Sequence, residues 1–92
     1  MDREARLRQA LLEALSPDHL EIRDESAAHA GHAGAGEGGH FRVVVVSAVF
    51  RNQDLVSRQR QVYDALGPIM GRDVHALALR TLTPEEWEAR RA

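Results

Sequence analysis

The 92-residue sequence contains no cysteine. No disulfide can form within it, and no thiolate can reach a metal from this chain. It has no run of about 18 apolar residues, the length a membrane-crossing helix needs, so a transmembrane helix is not expected. Residues 1–10 are charged rather than apolar, unlike a secretory signal, and the expected location is cytoplasmic. Excess positive charge is missing too. The formal net charge is −2, which argues against nucleic-acid binding by bulk charge. No nucleophile stands near a base in a recognisable pattern, so a non-enzymatic role is expected. There is no internal repeat and no sign of a second domain.

What is present is ordinary for a globular protein: 43% hydrophobic and 28% charged residues. A chain this short buries only about 60–65% of its unfolded surface, enough for one modest core. Residues 2–15 read as a helix, with Leu7, Leu11 and Leu15 repeating every fourth position, and Ser16-Pro17 stops it. Leu20 and Ile22 alternate with Glu21 and Arg23, as in a half-buried strand. Residues 27–39 contain only Ala, Gly, His and one Glu. They read as a mobile, glycine-rich loop with no large apolar side chain to anchor it.

Residues 41–50 are the most strand-like stretch. The run Val43 to Val46 is apolar on both faces, which predicts a central strand paired in an antiparallel hairpin with the strand before it. Residues 54–70 read as a helix capped by Asp54. Leu55, Val56, Val62, Tyr63, Leu66 and Ile69 are expected on its inner side, with a break at Gly67-Pro68 and a stop at Gly71. Residues 74–81 read as a third strand, with His75, Leu77 and Leu79 on one face and Val74, Ala76, Ala78 and Arg80 on the other. Thr83-Pro84-Glu85-Glu86 spells a capping box with proline at the first helical position, and Trp87 follows to dock this last helix on the core. The predicted order is α-β-β-α-β-α, an α+β fold with a three-stranded sheet and helices packed on one face.

Several segments in this frame form a recognisable series. Glu25-Ser26 is followed by His29-Ala30-Gly31-His32 and His40-Phe41-Arg42-Val43. Val46-Ser47 with Phe50, Arg58-Gln59-Arg60 with Val62-Tyr63, Val74-His75-Ala76-Leu77 and Thr83-Pro84-Glu85-Glu86-Trp87 complete it. Together, and in this order, they resemble the BolA family over nearly the whole chain. The resemblance implies a single domain over residues 1–92 with a fold similar to the type II KH domain. It also implies a partnership with monothiol glutaredoxins, in which the heterodimer bridges a [2Fe-2S] cluster for iron-sulfur trafficking or iron regulation, and in bacteria a link to stress morphology and transcription.

By the same resemblance the family's strand histidine falls on His75, and its loop ligand on His29 or, as the rival, His32. Imidazoles can replace two of a cluster's thiolates, as in Rieske centres. A chain that offers imidazole but no thiolate carries half a site; a glutaredoxin cysteine and glutathione would supply the rest, so the cluster would be bound only in the complex. His40 reads as a structural residue at a strand start and His19 as a surface residue. Zinc held by three histidines and water is a competing use of the same side chains.

The alternative function is DNA-binding regulation through Arg51, Arg58 and Arg60, which cluster near the start of the middle helix. Two departures weaken it. The family usually has Arg-His-Arg where this chain has Arg58-Gln59-Arg60, and often Gly where it has Arg51-Asn52-Gln53. The Gly-x-x-Gly loop by which KH domains hold single strands is not spelled by Arg51-Asn52-Gln53-Asp54. The free chain is expected to be a monomer or a weak homodimer.

Overall fold

The computed structural model describes residues 2–26 and 39–91. Three helices and three strands alternate in the predicted order: α1 (Arg3–Leu15), β1 (His19–Asp24), β2 (Gly39–Val46), α2 (Leu55–Leu66), β3 (Val74–Leu82) and α3 (Pro84–Arg91). The sheet has the order β1-β2-β3. β1 and β2 are antiparallel, with Leu20 opposite Val45 and Ile22 opposite Val43, whereas β2 and β3 are parallel. The sheet is therefore mixed, and β2 is its centre, as its continuous valine run requires. No described helix is long and apolar enough to cross a membrane.

Each helix starts where its sequence provides a cap. Asp2 accepts the Ala5 amide at 2.8 Å and Asp54 accepts the Ser57 amide at 2.8 Å. α1 ends on Ser16 in a left-handed conformation, and α2 ends at Gly67, where a short 3₁₀ turn, Gly67–Ile69, takes over. α1 and α2 cover one face of the sheet. Leu7, Leu11 and Leu15 of α1 and Val62 and Leu66 of α2 close on Phe41, Val43 and Val45 of β2, with Phe50 and Val74 completing the core. α3 caps the far end of the sheet. Its Trp87 stacks on His19, ring centroids 4.5 Å apart. His19 pairs in register with Val46, so it points away from the Val43–Val45 face.

Three expectations need correction. The second strand stops at Val46 rather than running to Phe50. Ser47 is buried, donates to the Leu15 carbonyl at 2.6 Å and accepts the Val49 amide, turning the chain into a 3₁₀ turn over Ala48–Phe50. Leu55, Val56 and Tyr63 are not on the inner side of α2; Leu55 and Val56 are 63% and 65% exposed. The buried stripe is Arg58, Val62 and Leu66, a strict four-residue repeat in which an arginine occupies the first inward position. Finally, β3 does not alternate as predicted. Val74 is fully buried in the core together with the partly buried Leu77 and Leu79, while His75 is exposed.

Candidate functional site

The failed alternation in β3 is caused by a register shift. Gly39 pairs with Val74, but the next residue, His40, pairs with Ala76. His75 is the extra residue, so two residues of β3 stand opposite one of β2. Such bulges are rare in parallel pairings and re-aim a side chain where they occur. Here the shift lets Val74 point into the core while His75 turns outward.

The start of β3 is held from two sides. The Gly39 amide donates to the Asp73 carbonyl at 2.9 Å. The Asp73 carboxylate accepts from Arg6 of α1 at 2.7 Å, and that hydrogen bond keeps its pKa below the usual carboxylate range. Gly39 itself is buried, and a Cβ there would run into the buried Phe41 ring, so only glycine fits.

His40 and His75 are each the second residue of their strand, and the parallel pairing leaves them side by side despite the bulge. Their ring centroids lie 5.4 Å apart and the planes are tilted by 49°. His40 is half-buried. Its amide donates to Ser26 Oγ at 3.0 Å, and its carbonyl accepts from the Glu25 amide at 2.7 Å. These bonds fix the two ends from which residues 27–38 depart and return. A groove of about 340 Å³, lined by Glu25, His40, Phe41, Ala76, Leu77 and Ala78, opens beside the pair. His29 and His32 lie outside the described residues, so the geometry concerns His40 and His75 alone.

Among the described residues no group of three or more His, Asp or Glu is placed to hold a metal, and the chain has no cysteine. Two adjoining imidazoles fit a [2Fe-2S] cluster as a partial ligand set only. The pairing of His40 with His75 escaped the sequence reading, which treated His40 as structural. The available signal was that two strands joined through a helix run parallel, which brings histidines at equal positions in them close together.

The arginines singled out for nucleic acid lie elsewhere and are engaged. Arg58 is buried, 7% exposed. Its guanidinium donates to both carboxylate oxygens of Glu86, at 2.7 and 3.1 Å, and to the Gln53 carbonyl at 2.8 Å. This two-pronged hydrogen bond, joined by the Thr83 amide, lowers the Glu86 pKa to about 2. The Glu86 amide donates back to Thr83 Oγ1 at 3.1 Å, closing the capping box the sequence announced. Arg51 forms a second fork, to Glu85, its Nε at 2.9 Å. Arg60 is exposed, and together with the Ser57 hydrogen bond its charge helps hold the Asp54 pKa below the usual carboxylate range. As a phosphate-contacting group the set is corrected: Arg58 is a structural residue binding α2 to α3, because its charge is already matched by a carboxylate.

These features define a class: a small α+β domain that closes one end of its sheet with ion pairs and presents imidazoles at the other. Residues 11–86 match the family model described as BolA-like protein. The mouse protein named BolA-like protein 1 is 45% identical over 84 residues, covering 91% of this chain and 60% of its own length. The chain thus spans about three fifths of that relative. The Haemophilus influenzae protein named DNA-binding transcriptional regulator BolA is 39% identical, covering 90% of this chain and 79% of its own length. Among solved structures, the BolA domain of SufE1 from Arabidopsis thaliana superposes with a TM-score of 0.81 at 40% identity, covering 94% of this chain and 96% of that one. The chain belongs to the BolA-like family.

Proposed function

We propose that this chain is a non-catalytic adaptor that binds a monothiol glutaredoxin and supplies imidazole ligands, His75 first and then His29 or His32, to a shared [2Fe-2S] cluster. The observation that carries the proposal is the exposed His75, turned outward by a bulge at the mouth from which the segment bearing His29 and His32 departs. A side chain exposed in this way can meet a partner without any rearrangement of the core. The lack of cysteine fits the same reading, since the thiolates would come from a glutaredoxin cysteine and glutathione.

The test is reconstitution of the purified chain with a monothiol glutaredoxin, glutathione, iron and sulfide, followed by visible absorption and circular dichroism. The expected result is a heterodimer spectrum distinct from that of the glutaredoxin alone. His75→Ala is expected to abolish the difference, and a heterodimer spectrum and cluster lifetime unchanged by His75→Ala would overturn the ligand assignment. The name of the Haemophilus relative supports a second reading, DNA-binding regulation. In this chain it would rest on Arg60 and other exposed arginines rather than on Arg58. It requires a band shift that weakens steeply with salt, because phosphate contacts release counterions.

A further inference from the structure

The separation of the two described imidazoles has a chemical reading of its own. A zinc–nitrogen bond is about 2.0–2.1 Å, and an imidazole nitrogen lies ~1.1 Å from its ring centroid, so two imidazoles on one tetrahedral ion have centroids about 5.2 Å apart. At a square-planar ion, where adjacent ligands meet at a right angle, the same arithmetic gives about 4.5 Å. The His40–His75 distance is 5.4 Å with the planes tilted by 49°. A direct stack in the same molecule, His19 on Trp87, sits at 4.5 Å and 22°. The separation of the two histidines is thus one that two ligands of a single tetrahedral ion can have.

Tilted ring pairs of this spacing also arise from packing alone, so the spacing needs company. The company is the bulge. A regular register would continue from Gly39–Val74 to His40–His75; instead the chain inserts His75 as the unpaired residue, loses ladder regularity there, and still keeps the two rings together. His75 remains exposed and makes no hydrogen bond among the described residues, so the arrangement does not serve to satisfy that ring. The groove that adjoins His40 has room for water.

We infer that His40 and His75 form a bis-imidazole site for a single tetrahedral divalent cation such as Zn²⁺, completed by water and present in the chain without any partner. Because His75 can serve only one metal at a time, zinc at this site excludes the ring from a partner's cluster. That exclusion, though not the site itself, rests on the function proposed above.

The probe is Zn²⁺ alone, titrated into the purified chain by calorimetry, with the imidazole resonances followed by NMR. One ion per chain is expected, with the His40 and His75 ring signals moving together. Removing a ligand should cost at least as much as removing a ligand's supporting partner, about 10–100-fold in affinity. His40→Ala, His40→Gln and His75→Ala should each show that loss while keeping the wild-type circular dichroism, whereas the double variant His29→Ala/His32→Ala should stay within about threefold. Zinc affinity that survives His40→Gln, or that collapses only in the His29→Ala/His32→Ala variant, overturns the site. Glutaredoxin takes no part in this titration, so failed cluster assembly and failed zinc binding are separate results.

Discussion

β3 joins two polar regions of opposite character. At its C-terminal end Arg58, Glu86, Thr83, Gln53 and the Thr81 carbonyl satisfy one another, and the arginine is almost fully buried. At its N-terminal end His75 stands exposed beside His40, on a strand whose register has been broken to put it there. The first arrangement uses charge to fasten a helix. The second leaves the His75 imidazole at the surface. Polar groups that close on one another belong to the scaffold, and polar groups set outward by irregular backbone are available to a ligand.

The contrast can be broken by mutation. Arg58→Met should destabilise the domain most, by about 2–4 kcal/mol in urea unfolding, since it orphans the Gln53 carbonyl and the Glu86 carboxylate. The value sits toward the lower part of the range for broken buried pairs because Glu86 is 45% exposed and can regain water. A loss below about 1 kcal/mol would show the ion pair to be dispensable.

Acid probes the same pair from the other side. The Glu86 pKa is about 2 in the folded chain against an ordinary value of 4.5. The unfolded chain therefore takes up the proton first as pH falls. The stabilisation is fully present above pH 4.5 and is lost progressively between about pH 4.5 and 2. Its size, discounted for the exposure of Glu86, is of order 1 kcal/mol. A Glu86→Gln variant should lack this part of the acid sensitivity in thermal melts.

Thr81 provides a smaller test. Its Oγ1 is buried with no hydrogen-bond partner among the described residues. Thr81→Val should be neutral or stabilising, by up to about 1 kcal/mol, because it removes an unsatisfied hydroxyl while keeping the branched shape. A loss of stability would mean that the hydroxyl has a role. His75→Ala should have the least effect, within about 0.5 kcal/mol, while it abolishes metal chemistry. A large destabilisation by His75→Ala would erase the distinction between the two ends.

Much of the fold could be read from the residues. The central valine strand, the Asp54 cap, the Gly67-Pro68 break and the capping box at Thr83 all depend on neighbours a few positions away, where backbone preferences and local hydrogen bonds decide. The reading failed where distant contacts decide. Arg58 looks like a solvated helix residue until Glu86, 28 positions on, takes its charge. His75 looks like a member of the Leu77–Leu79 face until the bulge against Gly39 and His40 reverses it. Ser47 looks like a strand residue until the Leu15 carbonyl claims its hydroxyl. The candidate site was legible as a set of histidines, and His75 was placed at the start of its strand, though on the wrong face. Its nearness to His40 was not legible, because that depends on the parallel pairing.

That parallel pairing has a consequence in time. β1 and β2 pair antiparallel, but β2 meets β3 only after the 27 residues from Ser47 to Asp73 have turned back across the sheet. Contacts between distant segments of a chain form more slowly than local ones, since the intervening loop must close first. The two imidazoles sit on opposite sides of that closure. A nascent or partly unfolded chain carries both histidines but no pair, so the ring pair doubles as a certificate of completed folding, issued only when the last strand has docked.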